Sequence, residues 1–230
     1  MKNTLNTMVV FLLMLVMRSE GSTIYLSSLS NDVFLDSNGV ALDGGYTFEW
    51  GSFQLGFTPT SENLDQWATN WKVFDAAVEG NGWTVGDSSL YQQADHTITG
   101  GSSSGFANPL HTFVEGEAAY LWVYDTKDIY SSPEWALVAD FDKSTNIFPD
   151  SWVIPDPGLQ SGESFDWHTL DLDTAVFGGV NDVQGAGAYA VAPASFTIQT
   201  HAVPEPGSAL LLLAAGVFLR IRRGAASSRS

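Results

Sequence analysis

Short runs of apolar residues, many alternating with polar ones, recur along most of this chain. Residues 23–27 (Thr-Ile-Tyr-Leu-Ser), 33–36, 46–50 (Tyr-Thr-Phe-Glu-Trp) and 53–57 (Phe-Gln-Leu-Gly-Phe) are rich in β-branched and aromatic side chains. Gly, Asn and Asp punctuate them, with Gly39 and the Gly44-Gly45 pair suited to tight turns. Further strands are predicted over 89–93, 97–99, 118–124, 135–140, 151–154, 175–177 and 196–200. The runs Tyr120-Leu-Trp-Val-Tyr124 and Trp135-Ala-Leu-Val-Ala139 are apolar without a break. That continuity predicts central strands covered on both faces. One stretch has a different period. After Pro59 come the cap residues Thr60 and Ser61, and then Leu64, Trp67, Ala68 and Trp71 fall at i, i+3, i+4 and i+7. This spacing predicts a short amphipathic helix over 61–71 with its Trp stripe packed in the core. The expected architecture is all-β: an antiparallel β-sandwich or jelly-roll-like ectodomain with one short helix at an edge or end.

The two ends of the chain follow another pattern. Residues 208–219 carry no charge and are rich in leucine and alanine, and Arg220, Arg222 and Arg223 follow. Fourteen residues, 208–221, form a helix of about 21 Å, short of the ~30 Å hydrocarbon core. The arginines can snorkel to headgroups, and they favour the cytoplasmic side for that end. Just before the apolar run stands Val203-Pro204-Glu205-Pro206-Gly207, whose prolines stop a helix from extending backward. At the other end, Lys2 precedes an apolar run over 8–17. Ser19 and Gly21 supply small residues for cleavage before Ser22, as in a secretory signal helix.

The order Pro-Glu-Pro, apolar run and arginine cluster resembles the PEP-CTERM sorting signal of exported bacterial proteins. The resemblance implies recognition by an exosortase, a membrane cysteine transpeptidase-like enzyme. It also implies removal of the tail and association with the outer surface or exopolysaccharide. Val203, Pro204, Glu205, Pro206 and Gly207 are then substrate positions, and Arg220, Arg222 and Arg223 a basic stop. The chain divides into a signal peptide (1–21), a β-sandwich ectodomain (22–202), a sorting signal with a transmembrane helix (203–224) and a cytoplasmic tail (225–230). The order of 53–60, 67–71, Tyr120-Leu-Trp-Val-Tyr124 and Glu134-Trp-Ala-Leu also looks like an ectodomain type that recurs among such proteins, one that carries no transferable activity.

Charge narrows the partners. Between the two end signals only Lys72, Lys127 and Lys143 oppose 24 acidic residues, a net charge near −21. Phosphate contacts need Lys and Arg, so nucleic acid is excluded as a partner. The chain has no cysteine, so neither disulfides nor thiol chemistry contribute. All eight tryptophans lie in this region, enough aromatic volume for a stable core.

Catalytic chemistry finds little support. His96, His111, His168 and His201 share no zinc-ligand spacing, and Asp166-Trp167-His168 lacks a nucleophile elbow. Among the carboxylates, Glu49, Glu115, Glu117 and Glu134 are the first to test for a glycosidase pair, against a reading as solvated strand-end acids. No catalytic residue and no cofactor is therefore assigned. Calcium suits two oxygen-rich groups, Asp32, Asp36, Ser37, Asn38 and Asp43 in one and Asp171 with Asp173 in the other; turn capping is the competing explanation. The expected function is a structural, non-enzymatic protein exported through the inner membrane to the cell surface or extracellular matrix. The alternative is a carbohydrate-binding module on exopolysaccharide, with a glycoside-acting enzyme third. Exposed aromatics on a sheet face or loop rim would favour binding, and buried ones a structural role.

Overall fold

The computed structural model describes residues 21–29, 31–84, 96–99, 102–103, 111–141, 152–155 and 164–204. Residues 1–20 and 205–230, and with them the apolar runs of both end signals, lie outside the described residues, as does the strand expected over 89–93. Among the described residues no helix is long and apolar enough to cross a membrane.

The described chain is mostly β-strand. In order come β1 (Gly21–Ser27), β2 (Phe34–Leu35), β3 (Thr47–Phe53), β4 (Trp71–Glu79), β5 (Gly82–Trp83), β6 (His96–Thr99) and β7 (Ser102–Ser103). There follow β8 (Tyr120–Tyr124), β9 (Glu134–Ala139), β10 (Ser164–His168), β11 (Thr174–Phe177) and β12 (Gly179–Val180). Last are β13 (Val183–Gln184), β14 (Ile198–Gln199) and β15 (His201–Ala202). A central sheet has the order β11-β9-β8-β3-β4-β5, and β15 also pairs with β9. Two four-stranded sheets, β10-β1-β6-β7 and β13-β12-β14-β2, complete the fold.

The apolar runs sit where their pattern predicts. In β8 and β9 every residue but the end positions Tyr124 and Glu134 is buried. Leu121, Val123, Ala136 and Val138 face a first core, shared with Ile24 of β1, Trp167 of β10, Phe34 of β2 and Ile198 of β14. Trp122, Trp135, Leu137 and Ala139 face a second core. That face is covered by a short helical segment, a 3-10 turn over Leu64–Gln66 running into an α turn over Trp67–Asn70.

The helix is thus shorter than the periodicity over 61–71 predicts. Trp71 leaves it, with φ −76° and ψ 131°, and opens β4. Its indole still enters the second core beside Trp67, so the stripe is core packing as expected. The expectation of mostly antiparallel strands holds, with three exceptions among the described residues. β1 runs parallel to β10, β2 to β14 and β4 to β5.

β4 contains an irregularity that moves side chains between faces. Its register against β3 steps from Trp50↔Asp75 to Gly51↔Val73, leaving Phe74 as the extra residue of a bulge. Phe74 and Ala77 reach the first core, whereas Trp71 and Val73 reach the second. Gly51 is required opposite the bulge, because a Cβ there would lie 2.1 Å from the Lys72 carbonyl oxygen. Gly51→Ala is expected to cost about 1–3 kcal/mol of stability through overpacking, read as a lower denaturant midpoint.

Candidate functional site

The C-terminal exit of the chain is built by three elements. β15 continues the edge of β9 below β11, with His201 opposite Trp135 and Ala202 opposite Glu134. On its other side Ala202 exchanges backbone hydrogen bonds with Ala188, at 2.8 and 3.3 Å. The Val203 N–H then donates to the Pro133 carbonyl at 2.9 Å, and the Val203 side chain is 4 % exposed in the second core. Pro204 is exposed. Among the described residues, core packing thus reaches Val203. Glu205, Pro206, Gly207, Arg220, Arg222 and Arg223 lie outside the described residues.

His201 is fully buried beside this exit. Its Nδ1 lies 2.8 Å from the Ala186 carbonyl oxygen and its Nε2 2.7 Å from Gln184 Oε1. The amide orientations follow from the partners. Gln199 Nε2 donates to the Asp36 and Val191 carbonyls, so Gln199 Oε1 accepts from Gln184 Nε2, and Gln184 Oε1 is left facing His201. Two acceptors favour a doubly protonated ring, and the charge of Glu134 acts in the same direction. Burial opposes both and is the larger influence, holding His201 below its ordinary range. Protonation therefore favours the unfolded chain. This group's contribution to stability is complete above pH ~6.5 and erodes as pH falls towards the folded value. A ring-proton NMR titration is expected to show a midpoint below the ordinary histidine range; a midpoint above it would reverse the sign.

The four carboxylates singled out for a glycosidase test separate into different surroundings. Glu49 is buried in the middle of β3. It accepts from Trp71 Nε1 at 2.8 Å and Tyr124 OH at 2.6 Å, and it forms an ion pair with Lys127. The Lys127 ammonium also lies over the Trp122 and Tyr124 rings, at 5.0 and 4.9 Å. Burial lowers the Lys127 pKa against the opposing pull of Glu49, while burial and then the Glu49 charge raise that of Tyr124. Glu134 accepts from the Ser37 N–H and hydroxyl (2.9 and 2.5 Å), Tyr46 OH (3.1 Å) and Thr200 Oγ1 (2.8 Å). Burial and the Glu134 charge raise the Tyr46 pKa in turn. Glu117 pairs with Lys72 at 2.5 Å, and Glu115 is exposed. Of these four, Glu115 alone is solvated, and it sits in a turn before β8 and not at a strand end. The other three carry their charge into hydrogen-bond networks that tie strands to loops.

Both calcium groups have structural partners. Asp36 accepts from the Asn38 and Val40 N–H groups, Asp43 from Gly45 N–H, and Asp32 from Leu29 N–H and the Thr169 hydroxyl. Asp173 accepts from Phe141 N–H and Thr174 Oγ1. Among the described residues no three His, Asp or Glu side chains converge on a metal position. His168 is buried and accepts at Nδ1 from Leu170 N–H, while Asp166 is exposed.

Residues 202–223 match the family model of the PEP-CTERM protein-sorting motif. The chain carries a PEP-CTERM sorting signal. The matched span starts at Ala202, the last residue of β15, so motif and fold overlap at the exit just described. The PEP-CTERM signal implies export, membrane passage and recognition by exosortase. Comparison with curated proteins and with solved structures returns no match. The signal was legible from its residues alone. The participation of Val203 in the core was not, because Val203 is out of step with the alternation of Phe196 and Ile198 and enters the other core.

Proposed function

We propose that this PEP-CTERM protein is a non-enzymatic structural component of the cell surface or extracellular matrix. One observation carries the reading: all eight tryptophans are 5 % exposed or less. An indole platform for sugar rings needs an exposed face, and none is offered. The carboxylates agree, since Glu49, Glu117 and Glu134 serve as acceptors for neighbouring donors. The hollow beside Phe57, Tyr120 and Glu117 holds about 130 Å³, below the range usual for ligand pockets. Among the described residues, the carbohydrate-binding reading could use this hollow or scattered exposed aromatics such as Tyr130 and Phe141.

Purified protein is expected to release no reducing ends from common polysaccharides. Release that disappears in Glu49→Gln, Glu115→Gln, Glu117→Gln or Glu134→Gln would overturn the non-enzymatic reading. Retention on a glycan array without hydrolysis would move the binding-module reading ahead.

Processing of the tail follows the same logic. Val203 is held by a backbone hydrogen bond and core packing, so a protease acting on folded protein reaches only bonds beyond it. Intact-mass analysis of exported protein is expected to place the mature C-terminus between Pro204 and Gly207. A C-terminus at Ser230 would reject processing, and one before Val203 would reject the folded-substrate argument.

A further inference from the structure

Among the described residues one solvent-facing stretch lies beside the sorting signal and breaks the charge pattern of the domain. Residues 187–195 read Gly-Ala-Tyr-Ala-Val-Ala-Pro-Ala-Ser, nine residues without a charge in a domain near −21. All but the half-buried Pro193 are exposed. Tyr189 is 42 % and Val191 45 % exposed, and the neighbouring Val40 is 60 % exposed.

Several contacts fix this stretch to the domain. Ala190 and Val191 both donate to the Ser37 carbonyl (2.7 and 3.3 Å), and Gln199 Nε2 donates to the Val191 carbonyl at 3.0 Å. The Tyr189 ring lies 4.7 Å from the His201 ring. Val191 also fills the space over Gly39, where an added Cβ would meet its Cγ1 at 3.0 Å. Two neighbouring acids are engaged with the backbone, although Asp182 remains exposed. Asp36 accepts from Asn38 and Val40 N–H, and Asp182 from Phe196 N–H at 2.6 Å. The fold thus holds small and aromatic apolar groups outward in fixed positions.

Position along the chain says what these groups face. Ala188 is paired with Ala202, two residues before the first proline of the sorting signal. The apolar run of the anchor begins at Ser208, five residues beyond Val203. Five residues span at most about 17 Å even when fully extended. The anchor therefore holds the Ala188 end of this stretch close to the headgroups until the tail is cut.

We propose that residues 187–195, together with Val40, form a lipid-contact face that rests on the bilayer surface beside the anchor before processing. The proposal depends on the sorting signal acting as a membrane anchor. The domain as a whole carries a charge near −21, which suits water. An acidic domain is repelled by anionic headgroups, whereas an uncharged strip with a tyrosine can enter the interfacial zone. Contact with lipid also removes this apolar surface from water for as long as the anchor is intact.

The absence of cysteine makes the test direct. Ala190→Cys and Leu55→Cys variants of the full chain each accept one environment-sensitive fluorophore. Leu55 is 89 % exposed just beyond Phe53 of β3. That is the end of the central sheet opposite β15, because Thr47 pairs with Tyr124, Tyr124 with Trp135, and Trp135 with His201. The labelled chains are reconstituted in phosphatidylethanolamine–phosphatidylglycerol vesicles and quenched with brominated acyl chains or with aqueous iodide.

Quenching by brominated lipid is expected to be about threefold or more stronger at residue 190 than at residue 55, as for a group at the acyl boundary. Iodide is expected to show the reverse order. Equal iodide access at both positions, in chains that float with the vesicles, would overturn the lipid-contact face and leave the anchor reading standing. Shielding of residue 190 from both quenchers would assign the face to a second copy of the chain and also overturn it. Failure of the unlabelled chain to float would remove the anchor and the face together.

Discussion

Trp67→Ala is expected to destabilise the domain by about 3–5 kcal/mol, the usual range for deleting a large buried aromatic. Trp67 is fully buried at the centre of the second core. Its ring stacks on Trp135 at 5.7 Å and meets Trp122, Phe53 and Phe177 at 5.8–6.2 Å, edge-on. Its indole N–H donates to Asn63 Oδ1 at 2.9 Å, which ties the helical segment to its own first turn. That segment has only seven helical residues, too few to persist without tertiary packing. Loss of the ring should therefore release the cover from the whole face as well as leave a cavity. Denaturant titration measures the cost, and near-ultraviolet circular dichroism should weaken as the Trp67–Trp135 stack disappears. A loss under about 1 kcal/mol would mean that the face can collapse around the gap.

Glu49→Ala is expected to cost a similar amount, about 3–5 kcal/mol, for a different reason. The carboxylate is the shared acceptor for the Trp71 indole, the Tyr124 hydroxyl and the Lys127 ammonium. Removing it leaves a half-buried positive charge and two donors without an acceptor. Glu49→Gln keeps the shape and part of the hydrogen bonding, and should cost less. The decisive comparison is a double-mutant cycle with Lys127→Met. If the ion pair is the reason, the double variant is more stable than the sum of the two single losses predicts. Strict additivity would show that Glu49 acts only through Trp71 and Tyr124.

These two residues also mark where the sequence could be read and where it could not. Trp67 was legible because Leu64, Trp67 and Ala68 repeat at helical spacing between two β-rich runs. Trp71 continued that spacing, yet the chain had already turned into β4. Nothing local separates a fourth helical position from the first residue of a strand. β4 itself was illegible because Phe74 interrupts the alternation by which a strand is recognised, and Asp-Ala-Ala adds little β preference.

Glu49 reads as a polar residue between Phe48 and Trp50, the pattern of a strand with one wet face. Only the helical cover makes that face dry, and the cover is a tertiary fact. The parallel pairs of β1 with β10 and of β2 with β14 join distant parts of the chain, as in Phe34↔Ile198, and no local pattern names such a partner. The continuous apolar runs of β8 and β9 were the opposite case. Their burial on both faces is written in their own residues.

The last strand sets a timetable for the living chain. β2 awaits β14, and the second core awaits Val203, so a chain delivered N-terminus first cannot finish folding until residue 203 has arrived. Closure depends on contacts between the two ends, which form slowly and leave aromatic surface uncovered in the interval. The rest of the sorting signal follows directly. Completion of the fold and arrival of the sorting signal at the bilayer thus fall at nearly the same moment of export, and the unfinished chain needs protection from aggregation for almost the whole of its transit.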